Sequence, residues 1–188
     1  MRKTLPMTTR NDRDIRFRAA RPDQLADVLA VLDEVAAWLD ERGIAQWPAR
    51  FEPSWVMEAI SRGETWLVEA DGAVGATVTV NWSDPVWAGV AGSAAYLHRM
   101  AVRRTQAGLG PVILAWAADI ARQHDCDALR LDCVASNGRL RAYYEAAGFA
   151  CRGAVAVGGA PGQRLEDGPV TLVSRYEMPL APRFIRSG

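Results

Sequence analysis

The sequence predicts an α/β fold built on a mixed, mostly antiparallel twisted sheet with helices on both faces. Three observations carry that prediction. Hydrophobic periodicity gives the element order β-α-α-β-β-β-α-β-α-β-β. An Asp71-Gly72 turn joins two strand-like runs early in the chain, the mark of an antiparallel hairpin. Two strand–loop–helix units then follow within residues 96–149, and such units set parallel strands side by side with their helices against the sheet.

Taken in order, Ile15–Ala19 is a short β-compatible run. Arg21-Pro22-Asp23 opens a helix with Leu25, Val28, Leu29, Val31, Leu32 and Val35 on its apolar side. The pattern continues through Trp38 and Leu39 and breaks at Gly43, so that 43–48 (GIAQWP) reads as a loop. Residues 54–61 form a short helix with Trp55, Val56 and Ile60 apolar. Thr65–Ala70 and Ala73–Asn81 are the hairpin strands, and 82–94 is a loop broken by Asp84-Pro85. A strand over 96–102 enters a basic, glycine-containing loop at 103–110, after which Pro111 opens a helix with Val112, Ile113, Ala115, Trp116 and Ile120 in its stripe. A strand over 128–135 leads to a helix capped by Ser136 or Asn137 and ended by Gly148. Strands over 150–157 and 170–178, joined by a glycine-rich connection at 158–168, close the sheet. One domain is expected over residues 15–181, with tails at 1–14 and 182–188.

Composition narrows the function. The 188 residues suit a single domain, and an apolar fraction of 49% is enough for a sizeable core. The 22 basic and 22 acidic residues cancel, so no global field draws the chain to nucleic acid or to an anionic membrane. Three cysteines without a CxxC pair and only two histidines do not indicate structural zinc or a disulfide framework, and no metal is expected. Cys133, in a strand pattern, reads as a small core residue. The opening MRKTLPMTTRNDRDIR lacks a following apolar segment and no stretch is long enough to span a membrane, so the expected location is the cytoplasm.

The chemistry concentrates in 96–149. Gly108 and Gly110 sit where a backbone must turn tightly and expose N–H groups. Proline suits a first helical position, which makes Gly110 the last loop residue, at or beside the N-cap. The N–H groups of a first helical turn and the helix dipole favour an anion, and Arg103 and Arg104 add fixed charge nearby. The same residues also serve an ordinary strand-to-helix turn. In the following unit Leu140, Tyr143, Tyr144 and Ala147 recur at helical spacing. Adjacent tyrosines lie about 100° apart on a helix, so one can be core while the other faces a neighbouring site. Tyr143 reads as the core residue.

The motif NGRLRAYYEAAGF, together with the MAVRR strand end, resembles the acetyl-CoA-binding core of the GNAT (GCN5-related) N-acetyltransferases. By element order the likeness extends more weakly over Ile15 to Leu180. It implies the acyl-CoA N-acyltransferase fold and acetyl-CoA as cofactor. In that family a strand offers backbone groups to the pantetheine arm, here Met100, Ala101 and Val102. A Gln/Arg-x-x-Gly-x-Gly/Ala loop then wraps the pyrophosphate. One alignment over Arg103, Arg104, Thr105, Gln106, Ala107, Gly108, Leu109 and Gly110 keeps both glycines but puts Thr105 at the Gln/Arg position. Another, counted from Val102, puts Ala107 there and Val112 at the Gly/Ala position. Asn137 matches an asparagine that contacts the cofactor arm. Tyr144 matches the tyrosine proposed as general acid for the departing thiolate.

The mechanism this resemblance implies is direct attack of a primary amine on the thioester. A strand N–H, that of Met100, polarises the carbonyl, and His98 is the first candidate for general base. Alternation places His98 on one face with Tyr96 and Met100. Glu69, Asp84 and Glu41 are further candidates. The acceptor side is expected from the first helices and the loop before the cofactor strand, with Trp38, Trp47 and Trp82 as an aromatic lining and Asp84 as an anchor for a cationic amine. The acceptor is a small-molecule or peptide amine, and exposed tryptophans with the closing strand offer a surface for a homodimer. A non-catalytic acyl-CoA-binding sensor on the same fold is the alternative. A nucleotide-binding protein is a third reading, disfavoured because GxxxxGK[ST] and GxGxxG are missing.

Overall fold

The computed structural model describes residues 13–158 and 170–181. The two predicted tails, apart from Arg13 and Asp14, and the connection at 158–168, apart from Gly158, lie outside the described residues. Seven strands form one sheet, β1 (Ile15–Ala19), β2 (Thr65–Ala70), β3 (Ala73–Asn81), β4 (Ala94–Val102), β5 (Ala128–Val134), β6 (Ala150–Gly158) and β7 (Val170–Pro179). Their spatial order is β1-β2-β3-β4-β5-β7-β6. β4 and β5 are parallel, and every other neighbouring pair is antiparallel. The helices are α1 (Leu25–Asp40), α2 (Pro53–Ser61), α3 (Leu109–Gln123) and α4 (Gly138–Ala146).

The β2–β3 turn follows directly from its residues. Asp71 and Gly72 have φ of 54° and 82°, the paired left-handed conformation that matches the twist of a two-residue hairpin. On one face of the sheet α3 and α4 cover Leu97, Leu129, Leu131 and Tyr176. On the other, α1 and α2 bury Val28, Val31, Leu32, Val56 and Ile60 over Leu67 and Ala101. The buried side of α3 is Leu109, Ile113, Leu114, Ala117, Ala118 and Ala121. Val112, expected in that stripe, is 37% exposed.

Two features of β4 prepare the site. It pairs with β5 only from Ala94↔Ala128 to Leu97↔Leu131, after which the strands part. Opposite β3 its register slips between Thr79↔His98 and Thr77↔Ala101, where Arg99 takes a φ of 48°. This bulge overturns simple alternation. Met100 and Val102 turn to the α3 core with Ala95 and Leu97, while Ala101 joins the α1–α2 core. Met100 therefore does not share the face of His98.

A buried ion network braces the lower half of the sheet. Arg130 on β5 is 2% exposed and donates from Nε to Glu177 of β7 at 2.7 Å and from Nη2 to the Ala91 carbonyl at 2.6 Å. Arg152 of β6 donates to the other Glu177 oxygen. Burial alone would raise the Glu177 carboxyl, but the bonds from Arg152 and Arg130 outweigh it and hold the group below 4.5. Its folded value is thus depressed, so its contribution is present above the unfolded value and lost as pH falls through the folded one. Glu177→Gln is expected to destabilise the protein by about 3–5 kcal/mol in urea titrations at neutral pH, because it strands the Arg130 guanidinium. The gap from wild type should narrow below pH 4.5. A loss no larger than that of the exposed Glu58→Gln would deny the pair this role.

Candidate active site

Where β4 and β5 part, a cleft of about 1110 Å³ opens between the α1–α2 and α3–α4 sides of the sheet. Tyr143, on its lining, stands against the start of α3, which lies beyond the cleft. The helix begins two residues earlier than the proline implied. Gly108 is its N-cap with φ of 96°, and Leu109 is the first helical residue, fully buried. Pro111 is therefore the third helical residue. It still lies within the first turn, where an N–H has no intrahelical acceptor, so the missing donor is no loss. No side chain caps α3, which leaves the N–H groups of Leu109 and Gly110 without intrahelical partners.

The loop before α3 directs its charge elsewhere. Arg103 donates to Glu34 of α1, and the Arg104 guanidinium lies 5.6 Å from the Trp38 ring, which Arg42 also covers at 4.7 Å. Thr105 is exposed in a 3₁₀ turn over Arg104–Gln106. Gln106 folds back on β3: a Cβ on Gly75 would stand 2.9 Å from Gln106 Cγ and 3.0 Å from Leu109 Cδ1. Its Oε1 accepts a bond from Arg13. Gly75 is thus a glycine because the loop and α3 press against its backbone.

The two tyrosines divide differently from the expectation. Tyr144 is the more buried, 6% exposed and packed against Phe149 and Tyr176, yet it also lines the cleft. Burial pushes its phenol strongly up, with Cys133, Tyr143 and Asp132 adding to the effect, so it stays protonated. Tyr143 is half-buried, and its hydroxyl is sealed from solvent with no partner among the described residues. That oxygen would lie 2.5 Å from a Cβ on Gly110. The second loop glycine therefore lets α4 approach the first turn of α3.

Asn137 caps α4, accepting from Leu140 N at 3.1 Å, and donates to Gln46 Oε1 at 3.2 Å. Gln46 Oε1 also accepts from Val134 N at 3.3 Å, satisfying β5 where β4 has left it. His98 Nε2 stands 3.2 Å from Asp84 Oδ2. Asp132 of β5 completes a group whose ligand atoms lie within 4.8 Å of one another, and Arg99 lines the cleft beside them. Such a set suits an ammonium or another cation. The Cys133 thiol, pushed up to about 12 by burial, is inert core.

Of the expected site residues, His98, Met100, Asn137, Tyr144, Trp38, Trp47 and Asp84 line this cleft. The Trp38 Nε1–H is buried without a partner among the described residues. Ala101 turns its side chain into the α1–α2 core, and residues 102–110 lie beyond the lining. Trp82 is not brought to the cleft. It is 40% exposed and stacks on His124 with ring centroids 4.0 Å apart. Gln46, Asp132, Arg99 and Arg139 line the cleft and were not singled out from sequence. Arg130 and Asp132 alternate with Leu129, Leu131 and Cys133, a pattern that sets two charged residues on one strand face. Nothing in GIAQWP marks Gln46.

Gly110→Ala is expected to lower stability by about 1–3 kcal/mol through overpacking against Tyr143. Adding Tyr143→Phe, which removes the obstructing oxygen, should recover most of it in thermal unfolding. Equal losses in both backgrounds would exclude this contact as the cause.

Known proteins agree with this architecture. The profile of the acetyltransferase (GNAT) family matches residues 32–149. An uncharacterized N-acetyltransferase of Bacillus subtilis, YesJ, is 31% identical over 143 residues, covering 70% of this chain and 79% of its own. Among solved structures, a GNAT-family acetyltransferase of Listeria monocytogenes superposes with a TM-score of 0.69 at 24% identity, covering 88% of this chain and 95% of that one. A Salmonella typhimurium acetyltransferase, yncA, solved with its cofactor acetyl-CoA, superposes at 0.61 with 12% identity over 93% of this chain and 99% of its own. Matched by the family profile over more than half its length, the chain belongs to the GNAT family of acetyl-CoA-dependent acetyltransferases.

Proposed function

We propose that this enzyme acetylates a primary amine by direct attack, with Tyr144 as general acid and His98 as general base. The observation that carries the reading is that both side chains line one cleft, at the point where β4 leaves β5. Acetyl-CoA supplies an activated acetyl thioester. Features of this chain suit it: the uncapped first turn of α3 for phosphate, the β5-facing edge of β4 beyond Leu97 for an amide-bearing arm, and, against Gly110, the Tyr143 hydroxyl, which has no partner among the described residues. Asn137 uses one Nδ2 hydrogen on Gln46 and keeps the other for that arm. Among the described residues no helix is long and apolar enough to cross a membrane.

The acceptor enters past Trp38 and Trp47, whose rings give it an apolar wall while the Trp38 N–H offers a donor. His98 takes a proton from the acceptor ammonium, leaving the nitrogen lone pair free to attack. The Met100 N–H meets the charge that develops on the carbonyl oxygen. Tyr144 delivers its proton to the leaving sulfur. An ordinary thiol near 8.5 and phenol near 10 do not favour that transfer strongly. Burial weakens both acids together, however, since desolvation disfavours phenolate and thiolate alike.

Tyr144→Phe is expected to lower kcat about 10²- to 10⁴-fold in a free-thiol assay over an amine panel, with the Kd for acetyl-CoA little changed. A variant with wild-type kcat would take Tyr144 out of the general-acid role. His98→Ala should lower kcat to a similar degree.

A further inference from the structure

We infer that Asp84 is a positioning residue: it holds the His98 imidazole with its proton on Nε2 and thereby leaves Nδ1 as the atom that accepts the acceptor's proton. The inference rests on the reading of His98 as general base. Asp84 was expected to meet the acceptor amine, but its side chain is only 1% exposed and stands 3.2 Å behind His98. Both line the cleft, and the 21% exposed imidazole is the more open of the two.

Asp84 is also built to stay in place. Its Oδ1 accepts from Val86 N at 2.9 Å, capping the 3₁₀ turn Pro85–Trp87. Trp87, 2% exposed, is held by the guanidinium groups of Arg130 and Arg175, 5.1 and 5.3 Å from its ring. Oδ2 is left 3.2 Å from Nε2. A carboxylate accepts and never donates when ionised, so it selects the imidazole tautomer that carries its proton toward it. Asp132 of β5 and Arg99 of the β4 bulge are the other charged groups around the ring.

In the step, an N–H bond of the acceptor ammonium breaks and its proton bonds to Nδ1. The amine keeps the electron pair, and the imidazolium carries both protons, Nε2–H still on Asp84. Solvent later removes the Nδ1 proton.

Asp84→Asn tests this cleanly. Its side-chain oxygen can keep the Val86 cap, while an NH₂ replaces Oδ2 and faces the ring with a donor. The imidazole must then shift its proton to Nδ1, which blocks the base, as when a triad aspartate is replaced by asparagine. The expected result is a fall in kcat of about 100-fold or more with the KM for both substrates little changed. The second readout is ¹⁵N NMR of the imidazoles. Only His98 and His124 contribute, and His124→Gln assigns them. Wild type should show neutral His98 protonated on Nε2, and Asp84→Asn should show it protonated on Nδ1. A wild-type ring protonated on Nδ1 overturns the inference even if the variant fails to fold. So does an Asp84→Asn enzyme with unchanged tautomer and unchanged kcat. If His98→Ala retains wild-type kcat while the tautomer shifts as expected, the base reading fails but the hold of Asp84 on the ring stands.

Discussion

The parting of β4 from β5 is the constraint on which the rest of this structure depends. A parallel pair that closed along its whole length would bury every backbone group and leave no cleft. Here the ladder ends at Leu97↔Leu131, and both strands run on without each other. Unpaired strand edges inside a protein are costly. The fold answers that cost on β5 with Gln46, which accepts from Val134 N and links it to the cap of α4. The loop between α1 and α2 is thereby tied to the β5–α4 junction by a single buried amide.

Parting two central strands also weakens the sheet at its middle, and the compensation lies next door. Arg130 sits one residue before Leu131, the last paired position. Its guanidinium gathers Glu177, Tyr96 and the Ala91 carbonyl into one buried network and covers Trp87. The same network carries the turn that bears Asp84. Stability of the sheet and rigidity of the site are thus one problem here, solved with one arginine.

Much of this was legible because its causes are local. Asp71-Gly72 fixes its turn by two left-handed residues, and the strand boundaries beside it follow. Gly148, with φ of 94°, ends α4 where a glycine should. The start of α3 was misplaced by two residues because proline is tolerated throughout a first turn, and only tertiary contact separates the choices: Leu109 is buried at once and Gly75 receives it. The β4 bulge was invisible for a deeper reason. It exists only as a mismatch between two strands, so no pattern within 94–102 reports it, and alternation assigned Met100 to the wrong face. Trp82 carried no signal separating a cleft wall from a ring stacked on His124.

The glycine loop shows how far a motif and its chemistry can diverge. Its arginines looked like the charge that would hold a phosphate. Both turn instead toward α1, Arg103 to Glu34 and Arg104 to the Trp38 ring. Gln106 is taken by Gly75 and Arg13. What remains at the start of α3 is the uncapped N–H groups after Gly108, the dipole of a 15-residue helix, and the Tyr143 hydroxyl of α4, which has no partner among the described residues. Arg139, exposed in the first turn of α4 and lining the cleft, is placed where a helix dipole disfavours a cation unless an anion lies near. The loop's charged side chains brace the wall that carries Trp38, while its glycines make room for the helix start.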